Sequence, residues 1–241
     1  MNDALSQPSK IIADTLCFSA IAPRSKAGDI AAQTRDVLAQ LDARLADAGT
    51  DRSALLTAHI WLRDMALFQD MTAEWNNWIG AQEPPSRSCV SGDSLDPGAL
   101  IEIVATAASP ARPDNKTAIE RYGLVHGEGR PTMCLALAYH DWFTVCTLAS
   151  DCSEEIAGQT WQILTVFDDF LGEAGAEKSN ILTMDIWLKR MSDKAVVDDV
   201  LAAWLEPGHA PAGSCIHADM ARPEMLIEIR ITAMRQEPAP S

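Results

Sequence analysis

The sequence has few basic residues and no long apolar segment. Lys and Arg number 19 against 34 Asp and Glu, so the formal net charge is −15. A chain this acidic is repelled by phosphate backbones and by anionic lipid surfaces. No stretch approaches the ~20 continuous apolar residues that a membrane-spanning helix needs. We therefore expect neither a nucleic acid nor a membrane as a partner.

Secretion signals and metal-binding patterns are also missing. Residues 1–10 contain neither the basic region nor the apolar run of a secretory signal, which favours a cytoplasmic location. The six cysteines form no Cys-x-x-Cys pair, and no histidine cluster lies near them at zinc-ligand spacing. We expect free thiols that are mostly buried in apolar strands, and neither a metal nor an organic cofactor.

What the sequence does contain is an internal repeat at an offset of 126 residues. No gap is needed between Ile30 and Ala107, and the matched pairs are Ile30–Thr34 with Ile156–Thr160, Ile60–Leu62 with Ile186–Leu188, and Leu100–Ile103 with Leu226–Ile229. Such self-similarity indicates a duplicated domain. We predict a first domain over 1–110 and a second over 130–241. Between them, 111–129 reads as a linker with a possible edge strand, because it is rich in Pro, Gly and polar residues.

Each copy has the pattern of an α+β domain. In the first copy, apolar residues recur at helical spacing from Ile30 to Leu45, with Asp29 as a candidate N-cap and Gly49 just past the end. A second helical stripe runs over 67–78 and is stopped by Pro84 and Pro85, which begin an extended segment through Val90. A strand or a tight hairpin is expected over 10–21, and strands over 56–62 and 100–107. This order predicts a mixed β-sheet with two helices on one face. The other face reads as too apolar for water, so we expect an oligomer.

Three segments together resemble a known family. They are Asp29–Thr34, the Pro-Ser-Arg-Ser-Cys-Val run Pro85–Val90, and the Leu-Ile-Glu-Ile run Leu100–Ile103. The combination, with 15 residues from Arg87 to Glu102, resembles the RidA/YjgF/UK114 family, also called endoribonuclease L-PSP, in both copies. The resemblance implies two tandem chorismate-mutase-like domains and a trimeric barrel, here a homotrimer of two-domain chains. It also implies hydrolysis of enamines and 2-imino acids to 2-keto acids and ammonia, in clefts between neighbouring domains.

The same resemblance implies which residues form the site. Arg87 would hold the substrate carboxylate and Glu102 would position the attacking water, while Cys89 would line the cleft with its backbone. Ser19 and Ala20 match a Ser-Gly pair of the family, with the glycine altered. From the residues alone, a guanidinium fork matches a carboxylate. The alternative is that Arg87 and Glu102 form a structural ion pair between adjacent strands.

The second copy departs from this pattern. Gly213 stands at the position of Arg87, whereas Glu228 remains at the position of Glu102. A glycine cannot hold a carboxylate, so we expect a scaffold or a site of altered specificity, with Arg222, Arg230 and His217 as candidate replacements.

The leading hypothesis is a deaminase acting at first-copy sites. The alternatives are a non-catalytic protein that binds small carboxylates or regulates an enzyme and, ranked last because of the acidic charge, a ribonuclease.

Overall fold

The structure is a computed structural model, which describes residues 9–12, 14–80, 83–92, 97–111 and 118–235. The chain divides into two compact units, Met1–Cys134 and Leu135–Ser241. Of the predicted linker, residues 112–117 lie outside the described residues. The limits 1–110 and 130–241 stay a prediction. Among the described helices, none is long and apolar enough to cross a membrane.

The first unit contains two α-helices and six strands among its described residues. The helices are α1 (Ile30–Asp47) and α2 (Phe68–Ile79), and the strands are β1 (Ser9–Ile12), β2 (Thr15–Phe18), β3 (Leu55–Leu62), β4 (Ser86–Ser91), β5 (Ile101–Ala108) and β6 (Ile119–Val125). Helix α1 begins as predicted, because the Asp29 carboxylate accepts a hydrogen bond from Ala32 N at 2.9 Å. It ends before Gly49, whose φ of 78° is the left-handed conformation that favours glycine.

The first sheet is mixed and has helices on one face. Its strand order is β1-β2-β5-β3-β4, in which β3 and β4 are parallel and the other neighbours are antiparallel. Ala58, Ile60 and Leu62 point to the buried side, and α1 packs against β5. The opposite face, which we expect to be too apolar for water, carries Thr57 and Glu102 among apolar neighbours, and its cover by another copy stays a prediction.

The second unit repeats this architecture, and the boundary between the units falls within its first strand. The strands are β7 (Met133–Tyr139), β8 (Trp142–Leu148), β9 (Ala176–Leu188), β10 (Ala212–His217) and β11 (Ile227–Arg235), and the helices are α3 (Ile156–Ala174) and α4 (Lys194–Trp204). The order β7-β8-β11-β9-β10 is the order of the first sheet, again with one parallel pair, β9 with β10. The α+β class and the duplication are therefore confirmed.

One buried glutamine in each unit explains why the helical Gln-Thr pair is repeated. The Gln33 Oε1 atom accepts a hydrogen bond from Leu100 N at 2.8 Å, and the Gln159 Oε1 atom accepts one from Leu226 N at 3.0 Å. Both glutamines are buried. Each side chain thus ties the first turn of a helix to the residue that precedes the last strand of its sheet.

Candidate functional site

Arg87 lies on β4 and points towards helix α2. Its Nη2 atom donates to Thr72 Oγ1 at 3.2 Å and lies 3.6 Å from Met71 Sδ. Its Cζ atom is 5.6 Å from the ring centroid of Phe68 and 5.2 Å from that of Trp75, which is cation–π geometry. With 3% of its surface exposed, the guanidinium sits in a compartment formed by α2 side chains.

The compartment is anchored by the segment that follows β6. Trp75 Nε1 donates to Thr132 O at 2.8 Å. Asn76 bonds this segment twice, because its Nδ2 atom donates to Arg130 O at 2.8 Å and its Oδ1 atom accepts from Thr132 N at 2.7 Å. These bonds fix the carboxyl-terminal half of α2, and with it the aromatic ring beside Arg87.

Glu102 lies on β5 and points away from the helices. It is directly opposite Trp61 on β3, whereas the residue of β3 opposite Arg87 is Ala58. Because successive side chains of a strand alternate between faces, Glu102 and Arg87 lie on opposite faces of the sheet. Only 6% of the surface of Glu102 is exposed.

The two positions are also well separated along the sheet. Strand β3 lies between β4 and β5, and the partners of Arg87 and Glu102 on β3 are three residues apart. At ordinary strand spacing and rise this places their Cα atoms roughly 14 Å apart. A direct ion pair between adjacent strands is therefore the wrong interpretation. Cys89, opposite Ile60, shares the face of Arg87.

Ser19 and Ala20 lie beside the strand that carries Glu102. The next residue, Ile21, exchanges two backbone hydrogen bonds with Ile103, at 2.8 and 3.0 Å. Arg44 of α1 donates from Nη1 to Ser19 O at 2.7 Å, which fixes the chain as it leaves β2. The structure thus brings Ser19 and Ala20 alongside β5, and groups Cys89 with Arg87 instead.

Sequence reasoning missed a polar pair on the same face as Glu102. Ser88 Oγ lies 2.5 Å from His59 Nδ1, a hydrogen bond in which either atom can be the donor. Both residues are buried, and the His59 ring stacks on Trp61 with centroids 5.4 Å apart. The available signal was the presence of polar residues at paired positions of two otherwise apolar strands.

In the second unit the position of Arg87 has no room for a side chain. Gly213 lies opposite Met184, and a Cβ atom added to Gly213 would be 1.8 Å from Met184 O. Glu228 is buried and accepts a hydrogen bond from Cys146 Sγ at 3.2 Å. Burial, followed by the charge of Glu228, raises the pKa of the Cys146 thiol well above its ordinary value.

Neither candidate arginine takes the place of Arg87. Arg230 Nη2 is 2.8 Å from Asp185 Oδ2, so its charge is already paired on the face that carries Glu228. Arg222 Nε is 3.4 Å from Glu224 Oε1 in an exposed ion pair. His217 ends β10 and is exposed, and its role stays a prediction. Among the described residues, no group of three or more His, Cys, Asp or Glu side chains is arranged to hold a metal ion.

Comparison with known proteins decides the family. The endoribonuclease L-PSP family model matches residues 6–109 and 147–235, that is, both copies. The chain belongs to the endoribonuclease L-PSP family. A RutC family protein of Haemophilus ducreyi is 33% identical over 91 residues, which are 38% of this chain and 78% of that protein. Relatives of the endoribonuclease L-PSP family thus match about one copy of the repeat.

Two further similarities bear on activity and on fold. A protein of Acinetobacter baylyi named 3-aminoacrylate deaminase RutC is 38% identical over 80 residues, which are 33% of this chain and 63% of that protein. A solved chorismatase aligns with a TM-score of 0.68 at 15% identity, over 93% of this chain and 78% of that chain. At this identity the similarity to the chorismatase bears on the fold alone. It extends over both copies of the repeat in this chain.

Proposed function

We propose that the chain is a hydrolytic deaminase that converts 2-imino acids and their enamine tautomers to 2-keto acids and ammonia, through its first unit. Membership of the family and the similarity to a protein named 3-aminoacrylate deaminase support the class of reaction. One structural observation carries the assignment to the first unit. Arg87 is held by α2, whereas a side chain at Gly213 would collide with the backbone.

Arg87 binds the substrate carboxylate in this proposal. A guanidinium keeps its charge when buried and offers two parallel donors to a carboxylate. The aromatic rings of Phe68 and Trp75 hold the guanidinium plane. The substrate carboxylate replaces Thr72 and Met71 as the partner of Nη2, and it thereby places the adjacent C=N carbon at a fixed point.

Glu102 acts on the water. It orients a water molecule and accepts its proton as the oxygen adds to the C=N carbon, which forms a carbinolamine. Collapse of this intermediate to the keto acid expels the nitrogen as ammonia. Ser19, Ala20 and the backbone of Cys89 line the substrate in this proposal, and neither a metal nor an organic cofactor takes part.

Arg87 and Glu102 of one unit cannot both touch one small acid, because they leave opposite faces of the sheet. We therefore assign the two groups of each site to two chains: Arg87 from one and Glu102 from the next. A ring of chains supplies such a site at every junction, which agrees with the homotrimer that the resemblance to the family implies. Light scattering tests this assembly, and a monomer in solution would contradict a site built from two chains.

The activity is tested with a generator of 2-aminoacrylate and a measurement of pyruvate release. Arg87→Met fills the space between the rings without the charge, and Glu102→Gln keeps the shape without the base. Each is expected to lower turnover about 100-fold or more, with a thermal midpoint close to that of the wild type. Glu228→Gln, the same change in the second unit, is the matched control and should retain activity. Full turnover by Arg87→Met would rule out the assignment.

The low exposure of Arg87 favours a second candidate, a protein that binds small carboxylates without turnover. A closed compartment suits tight binding better than rapid exchange. This candidate predicts that 2-keto acids raise the thermal midpoint of the wild type, that Arg87→Met abolishes the shift, and that no pyruvate forms from 2-aminoacrylate beyond the uncatalysed rate.

A further inference from the structure

We propose that His59, held by Ser88, is a further catalytic residue of the first unit and donates a proton to the nitrogen that leaves. The inference rests on the proposed deaminase function and deepens it. Water and Glu102 account for the attack on the C=N carbon, but the nitrogen also needs a proton before it can depart as ammonia. The face of the sheet that carries Glu102 contains one imidazole among its described residues, that of His59.

The ring of His59 is held in one orientation from two sides. Its Nδ1 atom is 2.5 Å from Ser88 Oγ, and its plane stacks on Trp61 at 20°. Because the side chain is buried, it has little freedom to choose another rotamer. The bond at Nδ1 to the hydroxyl leaves Nε2 as the atom directed away from Ser88, as in pairs where a second group orients an imidazole.

Glu102 and His59 are neighbours on the sheet. His59 is opposite Val104, and Glu102 is opposite Trp61, so His59 and Glu102 occupy diagonal positions on one face. Diagonal neighbours in an antiparallel pair have backbone positions about 7–8 Å apart, within reach of long side chains. A three-carbon imino acid placed between them has a base on one side of its reacting carbon and a proton donor on the other.

The step balances without any further reactant. Water adds its oxygen to the C=N carbon while Glu102 accepts one proton from it, and His59 gives its proton to the nitrogen, which forms the neutral carbinolamine. Glu102 then passes its proton to the nitrogen, the C–N bond breaks, and ammonia leaves. As the C=O bond forms, the carbinolamine hydroxyl returns its proton to His59. One water and one imine yield one keto acid and one ammonia, and both side chains recover their initial state.

The second unit supplies an independent observation. Asp185 stands at the position of His59, and Ser214 Oγ donates to Asp185 Oδ1 at 3.0 Å, so the pair of strands keeps its polar contact. Arg230 Nη2 also donates to Asp185 Oδ2 at 2.8 Å. Asp185 is thus the hydrogen-bond acceptor of both contacts. The two units therefore differ at this position: the first has an imidazole, His59, that can donate a proton, and the second has an acceptor, Asp185.

The test is His59→Asn in the pyruvate-release assay. Asparagine places an amide nitrogen near the position of Nδ1, so it keeps a hydrogen bond with Ser88 but carries no transferable proton. We expect kcat to fall about 100-fold, with KM and the thermal midpoint close to wild-type values. Asp185→Asn, the same position in the second unit, should leave kcat unchanged. A purely structural role predicts instead that His59→Asn keeps its kcat.

A second variant covers the case in which His59→Asn does not fold. His59→Ala leaves a space the size of the ring, and added imidazole should restore turnover in a concentration-dependent way. Wild-type kcat in either variant without imidazole would overturn the proposal, as would a loss in His59→Ala that imidazole does not relieve. If Arg87→Met and Glu102→Gln are inactive while His59→Asn is active, the role of His59 alone fails. If the wild type shows no turnover, the proposed function fails and the role of His59 falls with it.

Discussion

Gly213 and Met184 approach each other so closely that a Cβ atom at position 213 would lie 1.8 Å from the Met184 carbonyl oxygen. Parallel strands β9 and β10 make this contact at the position that corresponds to Arg87 in the first unit. The loss of the arginine in the second copy is therefore more than a single substitution. The backbone around Gly213 has closed over the space that a side chain at this position would occupy.

We predict that Gly213→Ala destabilises the second unit. Real Cβ atoms do not approach a backbone oxygen this closely, so β10 must shift, at a cost of about 1–3 kcal/mol. Gly172→Ala is the matched control, because a Cβ atom there meets nothing within 4 Å and alanine favours the helix by roughly 0.5–1 kcal/mol. Urea denaturation of both variants should give opposite signs. An unchanged stability for Gly213→Ala would contradict the closed backbone.

The paired glutamines give a second prediction. Gln33→Met and Gln159→Met remove the acceptors of Leu100 N and Leu226 N, and each should lower the free energy of unfolding by about 1–3 kcal/mol. The loss should be larger at Gln159, because its Nε2 atom shares its two hydrogens among three backbone carbonyls, those of Cys152, Glu154 and Glu224, whereas the Nε2 atom of Gln33 donates to one, that of Lys26. Equal losses at both positions would show that these added bonds contribute little.

A third prediction concerns pH. Burial raises the pKa of the Cys134 thiol from 9.0 to about 12, so the folded state keeps the proton while the unfolded chain releases it. The stabilising contribution is present in full below pH 9 and is lost as the pH rises towards 12. The expected slope is a loss of about 1.4 kcal/mol per pH unit for each such thiol.

The measurement is urea denaturation of the wild type and of Cys134→Ala at pH 8 and pH 10. The free energy of unfolding of the wild type should fall more steeply from pH 8 to pH 10 than that of the variant. The variant lacks the thiol that keeps its proton in the folded chain and releases it in the unfolded chain. Cys146, whose pKa is also raised by burial and by Glu228, should behave in the same way. Parallel pH dependence in wild type and variant would contradict burial of the Cys134 thiol.

Much of the fold follows from the sequence because its signals are local. The apolar spacing from Ile30 to Leu45, with Asp29 before it, is sufficient to define α1, since capping and periodicity act within a few residues. The duplication is equally visible in the sequence, as a repeat at a fixed offset. The structure agrees with it, because the aligned residues Gln33 and Gln159 make equivalent contacts in the two sheets.

The geometry of the candidate site does not follow from the sequence, because it depends on strand order. The spacing of 15 from Arg87 to Glu102 suggests adjacent strands, yet β3 lies between β4 and β5. A shift of one residue in register moves a side chain to the other face, and spacing across a loop does not define that register. For the same reason the contact between His59 and Ser88, which are 29 residues apart, has no signature in the spacing.

Co-expression of Arg87→Met and Glu102→Gln chains, each with its own tag, tests most directly whether one site takes its two groups from two chains. Each variant alone should be inactive. In every mixed trimer, one of the three junctions joins an intact Arg87 to an intact Glu102, so mixed trimers purified through both tags should release pyruvate at about one third of the wild-type rate. Mixed oligomers that remain as inactive as the single variants would contradict the account.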